Sequence, residues 1–262
     1  MGVIPNSLKF IKQHVKKRLD QESFHPELIG ILTNPFYFAR RGLSKNIERL
    51  SSEIQGKVLD VGCGTQPYRH FFSQCEYHGL ELDTPENRSS KIADSFYDGK
   101  VLPFAENSFD SLIINQVLEH IFEPDRFLDE AHRVLKPGGR LLLTVPFLWD
   151  EHEQPFDYAR YSSFGIVYLL EKHQYSIIES HKSVCGIQAI VQIWNAYLYK
   201  VTFRNSRLWN LIMALLFMAP GNILGTLLSW ILPQNSDIYL DNIILAKAEQ
   251  KTHLSHEHAT ET

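Results

Sequence analysis

Residues 58–64 read Val-Leu-Asp-Val-Gly-Cys-Gly. Three apolar residues and one acid run into two glycines spaced one apart. That pattern predicts a buried strand breaking into a tight turn. Glycine enters left-handed backbone at no steric cost and lets the main chain approach a ligand closely. Asp60 stands at the strand's carboxyl end, the edge where an open parallel sheet binds its ligands. The run therefore commits this part of the chain to an α/β sheet, with Asp60, Gly62, Cys63 and Gly64 at the ligand edge.

A dinucleotide fold needs Gly-x-Gly-x-x-Gly, whose third glycine permits close helix–strand contact. Pro67 occupies that position, and an acid at the turn repels a pyrophosphate. A cation bearing hydroxyls suits Asp60 better. S-adenosylmethionine offers a sulfonium, an ammonium group and a ribose diol. The run closely resembles motif I of the class I S-adenosylmethionine-dependent methyltransferases. The resemblance covers about residues 34–182 and is more specific in the cofactor half than in the acceptor half. It implies a Rossmann-like, seven-stranded, mostly parallel sheet and S-adenosyl-L-methionine as cofactor.

Glu81, in Gly79-Leu80-Glu81-Leu82-Asp83, ends the second strand. A carboxylate there accepts from both ribose hydroxyls; Asp83 is the competing acid. Asp94 and Ser95, in Ala93-Asp94-Ser95-Phe96, resemble the family's adenine-side acid and its neighbour. The Leu102-Pro103-Phe104 and Asn107-Ser108-Phe109-Asp110 segments follow in the family's order. After the fourth strand, Asn115 or Gln116 is expected to reach the cofactor. Some relatives that methylate oxygen hold a metal on Glu-x-x-Glu-His. Here Gln116 replaces the first glutamate, and a neutral amide is a poor ligand for a hard divalent ion, so no metal is expected. Glu119 and His120 are then expected to fix the start of the next helix. Arg133-Val134-Leu135-Lys136-Pro137-Gly138-Gly139 reads as architecture rather than chemistry.

Strand and helix patterns alternate from residue 57, as in a parallel α/β sheet. Strands are expected over 57–62, 77–82, about 91–93, 109–114, 139–146, 176–182 and 238–247. Helices are expected over 66–73, 123–135 and 163–173, with Pro137-Gly138-Gly139 as a sharp stop and Ser162 as a cap. The domain organisation expected is an N-terminal helical extension or lid (1–55), a cofactor-binding core (56–182), a hydrophobic helical insert (183–236), a last core strand (237–248) and a disordered tail (249–262).

The acceptor side falls after the fifth strand, in Pro146-Phe147-Leu148-Trp149-Asp150-Glu151-His152-Glu153-Gln154-Pro155-Phe156-Asp157-Tyr158-Ala159-Arg160-Tyr161. It resembles a His-Glu-x-Pro-x-Asp-Tyr-x-Arg-Tyr element of a mostly bacterial methyltransferase subgroup linked to cell-surface glycan assembly. His152 is the expected general base, because its unperturbed pKa of about 6.5 lies near working pH. Glu153 or Asp157 would orient it, and Arg160 would hold a phosphate or carboxylate. The bland alternative is a lid braced by an Asp157–Arg160 pair. Tyr37 and Arg40 are expected to close over the methionine end of the cofactor.

A net charge of −4 argues against a general nucleic-acid binder. The three scattered cysteines, Cys63, Cys75 and Cys185, point to a reducing compartment. Residues 3–19 place apolar residues at helical spacing among lysines, consistent with a surface helix or a basic amphipathic helix on a membrane. No secretory signal is read at the start, so a cytoplasmic setting is expected, peripheral on the inner face of a membrane if the insert contacts lipid. Residues 208–232 carry no formally charged side chain, enough by length for a span. Pro220-Gly221-Asn222 is expected to divide them in two, and a last strand returning to the sheet is incompatible with a single crossing. A membrane-dipping hairpin, a dimer or partner surface, and a cover on the domain's own core all fit. The reading is methyl transfer to a small-molecule or glycan- or lipid-linked acceptor, through oxygen. A non-catalytic cofactor-binding protein and a membrane-associated assembly factor are the alternatives. His253, His256 and His258 lie in the polar tail and are not read as a metal site.

Overall fold

The computed structural model describes residues 22–90 and 92–250. The amphipathic pattern over 3–19 and the polar tail from 251 lie outside the described residues. Seven strands form one sheet in the order β3-β2-β1-β4-β5-β7-β6. They are β1 (Lys57–Val61), β2 (Glu76–Leu82), β3 (Ser95–Tyr97), β4 (Phe109–Asn115), β5 (Leu135–Pro146), β6 (Tyr175–Cys185) and β7 (Tyr239–Ala248). Only β7 is reversed, antiparallel to both β5 and β6. The order turns at β1, with β2 on one side and β4 on the other. At such a switch point the strand ends open a crevice.

Strand side chains alternate between faces, which splits the core in two. Leu59, Val61, Leu112, Ile114, Leu141, Leu143 and Val145 pack to one side with Phe127, Leu128, Ile166 and Leu170. Those last four come from helices α2 (Pro124–Val134) and α3 (Ser163–Lys172). Val58, Ile113, Leu142, Ile243 and Leu245 face the other way. They meet Leu43, Ile47 and Leu50 of helix α1 (Tyr37–Leu50). Each such aliphatic chain contributes about 1.5–3 kcal/mol when fully buried. The same parity puts Asp60, two residues beyond Val58, on the α1 side.

Local signals account for the helix ends. Pro124 stands in the first turn of α2, with Asp125 there and His132 and Arg133 in the last turn, the charge order a helix dipole favours. Ser162 caps α3, its hydroxyl accepting from Gly165 N. Arg133 donates to the carbonyls of Leu102 and Phe104 and to Glu130, fixing the approach to β4.

Four expectations are corrected. β3 begins at Ser95 rather than near 91. In place of a helix over 66–73 there is a short 3-10 turn, Arg69–Phe72. β5 begins at Leu135, so the chain passes from α2 straight into the strand through Pro137-Gly138-Gly139. The insert is not broken at Pro220. Helix α4 (Ile187–Thr202) leads out from the sheet; helix α5 (Arg207–Met213) passes through a π-helical turn, Ala214–Met218, into helix α6 (Ala219–Ile231). Proline lacks an N–H and crowds the carbonyl four residues before it. A widened turn just ahead of Pro220 absorbs that misfit without ending the helix.

Buried amides join the insert to the N-terminal segment. Gln192 Oε1 accepts from Phe38 N and Ala39 N at the start of α1, and its amide donates to Pro35 O. Asn222 donates to the carbonyls of Ile31 and Asn34 and accepts from Asn195. The 25 residues Arg207–Ile231 are long and apolar enough to cross a membrane by length and composition. Only 33% of their most apolar window is buried in the protein.

Candidate active site

The turn after β1 is held by its neighbour strand. Gly62 N and Cys63 N both donate to Leu80 O of β2. Gly62 has φ +69°, and a Cβ there would stand 2.5 Å from Val117. Gly64 N donates to Glu81 Oε2 at 2.7 Å, while Glu81 Oε1 accepts from Leu82 N. Glu81 is thereby aimed across the mouth of the turn. Asp60 accepts a short hydrogen bond from the Tyr77 hydroxyl. Burial pushes its carboxyl up to about 7 against the pull of that bond, and Glu81 adds to the rise. The buried Cys63 thiol is pushed up to about 12 by desolvation and then by Asp60, which leaves it unreactive.

Across the switch point, Asn115 and Gln116 turn toward β5. Thr144 Oγ1 donates to Asn115 Oδ1, and Gln116 N donates to Thr144 O. The Gln116 side chain also meets Thr144 and Asp241. Arg40 of α1 lies beside Tyr68 and Asp241. Asp241 is 4% exposed, and burial pushes its carboxyl up to about 7.

Next along the rim, Glu119 sits in a one-turn 3-10 helix, Leu118–His120. It is 0% exposed, and neither carboxylate oxygen has a hydrogen-bond partner. Desolvation pushes it up to about 8. One donor atom from each of Glu119, His120 and His152 lies within 4.8 Å of the other two, and the two imidazoles meet edge to face at 4.8 Å. His120 Nδ1 lies 2.7 Å from Phe156 O. His152 Nδ1 lies 3.2 Å from Asp150 O and 3.3 Å from Asp157 Oδ2. Carbonyls and carboxylates only accept, so both Nδ1 atoms carry a proton, and in a neutral ring Nε2 is then the atom with the lone pair.

The loop bearing His152 is braced from within. Arg160 grips Asp157 with both terminal nitrogens, at 2.6 and 2.7 Å, and donates to Asp150 O and Ala159 O. This pair holds Asp157 down at about 2. Asp157 in turn accepts from His152 N at 2.9 Å. The loop is clamped to the cluster where Tyr158 N and Ala159 N donate to Glu119 O.

Residues 59–143 match a family model described as a methyltransferase domain. The demethylmenaquinone methyltransferase of Paenarthrobacter aurescens is 34% identical over 104 residues, covering 37% of this chain and 41% of that protein. The ubiquinone/menaquinone biosynthesis C-methyltransferase UbiE of a Ruegeria species is 35% identical over 102 residues, covering 33% and 41%. The matched part thus spans about two fifths of these curated relatives. In fold, the phosphoethanolamine N-methyltransferase 2 of Haemonchus contortus, solved with S-adenosyl-L-methionine, aligns with a TM-score of 0.50 at 20% identity, over 87% of this chain and 59% of that one.

Residues 59–143 carry an S-adenosylmethionine-dependent methyltransferase domain.

Within this methyltransferase domain Asp60, Gly62, Cys63, Gly64 and Glu81 share one rim. Asp83 instead pairs with Arg88, bidentate and exposed. Asp94 and Ser95 lie at the entry to β3 rather than after it, with Asp94 still within electrostatic reach of Cys63. Asp94 precedes β3, and its carboxylate accepts from Gly79 N in mid-strand. Ser95 pairs opposite Leu80 and bonds His78 Nε2. The acid that follows β3 is Asp98, which accepts from Lys100 N and Val101 N. Its signal in the sequence was Asp98-Gly99, a turn dipeptide placed directly after a strand. Glu153 is exposed and does not reach His152; Asp157 does so alone. Arg160 is spent on Asp157 and two carbonyls rather than held open for an anion. Glu119 was read as a helix start, yet it is the most deeply buried acid of the acceptor rim.

Proposed function

We propose that the protein transfers the methyl group of S-adenosylmethionine to an oxygen of a lipid-linked or glycan-linked acceptor at a membrane surface. Asp60 and Glu81 would hold the cofactor, Asp60 toward its cationic end and Glu81 at the ribose diol, with Asp98 at the adenine edge. The fit is electrostatic: Asp60 is a carboxyl kept near 7 by burial, and a bound cation supplies the missing counter-charge. Gly62, Cys63 and Gly64 keep the backbone close, and Asn115 and Gln116 close the β4 side.

The observation that carries the acceptor assignment is the convergence of Glu119, His120 and His152 beside the cofactor rim, where an imidazole can accept a proton. An aliphatic hydroxyl must lose its proton to attack a sulfonium methyl. Its oxygen–carbon bond forms as the sulfur–carbon bond breaks, the thioether leaves, and the proton goes to a lone pair of the cluster. His152, the most exposed of the three, is positioned to take it, with Asp157 orienting the ring. The relatives' names place their methyl groups on carbon. A carbon acceptor must also shed a proton, so the identity of the methylated atom is decided by the product analysis below.

The membrane assignment rests on the outer face of the insert. Trp194, Val201, Leu208, Leu216, Phe217, Leu224, Leu227, Trp230 and Ile231 are all exposed there. Tryptophan suits the headgroup boundary, and so wide an exposed apolar face marks an interaction surface. Mass spectrometry of lipids, glycans and metabolites from cells with and without the protein tests the reading. A species heavier by one methyl group should vanish with the gene and return with the wild-type chain but not with Glu81→Ala. Loss of a carbon-methylated quinone instead would overturn the oxygen assignment.

A further inference from the structure

The acceptor-side cluster carries an inference that deepens the reading above, though the site itself can be tested without it. Glu119 is wholly buried with both oxygens unpartnered. Ionising such a group without a partner costs the desolvation of a charge. Arg160 acts on Glu119 electrostatically, but its terminal nitrogens are bound to Asp157 and two carbonyls, and its buried Nε makes no hydrogen bond to the carboxylate. His120 Nε2 stands 3.8 Å from Glu119 Oε1, beyond hydrogen-bond distance, and neither imidazole hydrogen-bonds to the carboxylate. His120 and His152 are each held in the Nδ1-protonated tautomer by an acceptor behind Nδ1, as is usual for imidazoles that ligate metals. Gln116 stays clear, turned toward Thr144 and Asp241.

We propose that Glu119, His120 and His152 bind a first-row divalent transition-metal ion that receives the acceptor oxygen. Two imidazoles and one carboxylate suit zinc, iron, cobalt or manganese better than magnesium or calcium, which prefer all-oxygen shells. Three protein ligands leave coordination positions open. His152 then serves as a ligand rather than as the base. The ion acts as a Lewis acid on the acceptor hydroxyl, whose proton leaves to water. Asp157 is a positioning residue. No metal is expected from the sequence, because Gln116 breaks the Glu-x-x-Glu-His pattern; here the third ligand comes instead from the loop after β5.

The test uses the full chain stripped of metal, with His253, His256 and His258 each changed to alanine so that the tail offers no competing imidazoles. Cobalt(II) is titrated with visible absorption and calorimetry as readouts. One equivalent should bind, with the d–d bands of a nitrogen- and oxygen-ligated ion, and raise the thermal midpoint. His120→Asn and His152→Asn should each abolish the bands. Asp157→Asn should weaken binding on the order of 10–100-fold, as loss of a supporting carboxylate does. Should a variant misfold by circular dichroism, paramagnetic broadening in the parent chain replaces it: the His120 and His152 ring signals should broaden first. No uptake of cobalt(II) or manganese(II), undiminished bands in either histidine variant, or broadening elsewhere would overturn the site. Uptake without any binding of S-adenosylmethionine would uphold the site and remove the methyl-transfer reading; the converse would do the opposite.

Discussion

The two rims of the crevice are built on opposite principles. On the β1–β2 side the acids are already answered: Glu81 accepts from Gly64 N and Leu82 N, and Asp60 accepts from Tyr77. On the β4–β5 side Glu119 is buried with no partner, beside two imidazoles whose free nitrogens only accept. The first rim is preorganised and needs a ligand only to add charge. The second is incomplete until something electropositive enters it. Recognition of a shared cofactor can be built into a strand–turn–strand unit, whereas the chemistry on the acceptor is assembled from a turn after β4 and a loop after β5.

Three variants and one pH series would break or sharpen that contrast. His152→Ala should leave cofactor affinity unchanged by calorimetry and lower the turnover of the identified acceptor by about 10²–10⁴-fold, the scale of a lost acid–base contribution, either because its ring takes the proton or because it holds the ion proposed above. A loss of cofactor affinity instead would mean that the two rims are not separable. Glu81→Ala should do the reverse. Hydrogen bonds to a charged group contribute about 1.5–3 kcal/mol, so the cofactor should bind about 10–100-fold more weakly, with turnover recovered at saturation.

The Asp60 carboxyl should make cofactor binding depend on pH. Its neighbours are Tyr77, Cys63 and Glu81. Below about 7 it holds a proton that a cationic ligand must expel, so affinity should rise with pH through that value and level off above it. Calorimetry in buffers of different ionisation heat should register the released proton, and Asp60→Asn should register none. The ligand-free chain should show the opposite trend. Asp60 and Asp241 go from about 3.8 unfolded to about 7 folded. Both are protonated in either state below the lower value, and their ionisation costs the folded state as pH rises between the two. The thermal midpoint should fall over that window, less so in Asp241→Asn. The smallest effect belongs to Ser162→Ala, which removes the α3 cap. It should cost about 1 kcal/mol of stability and alter neither cofactor nor metal binding; a change in either would tie α3 to the crevice.

Much of the cofactor rim was legible because its determinants are local. Val58–Gly64 specifies strand, turn and acid within seven positions, and Gly79-Leu80-Glu81 supplies the facing strand. Six of the seven strands follow from apolar runs between turn residues. β3 was misread because three residues are too few to show a period, and Asp94 drew attention from Asp98. The acceptor rim was legible only in part. His152 and Asp157 announce themselves by density of polar groups. The burial of Glu119 depends on a loop that folds back from residues 156–159, and no local pattern encodes it. Pro220 read as a break because proline usually is one; the neighbouring widened turn depends on packing of α6 against Phe38 and Val191 at Gly225.

Gln192 gives the insert a second meaning. Its amide oxygen holds the first N–H groups of a helix 153 and 154 positions earlier in the chain, and that same helix carries Arg40 to Tyr68 and Asp241. Peeling the insert from the sheet would strand those N–H groups and unmoor Arg40 in the same motion. A lipid surface pressing on the outer tryptophans would favour the seated arrangement. Seating of the insert and placement of Arg40 are thus one equilibrium.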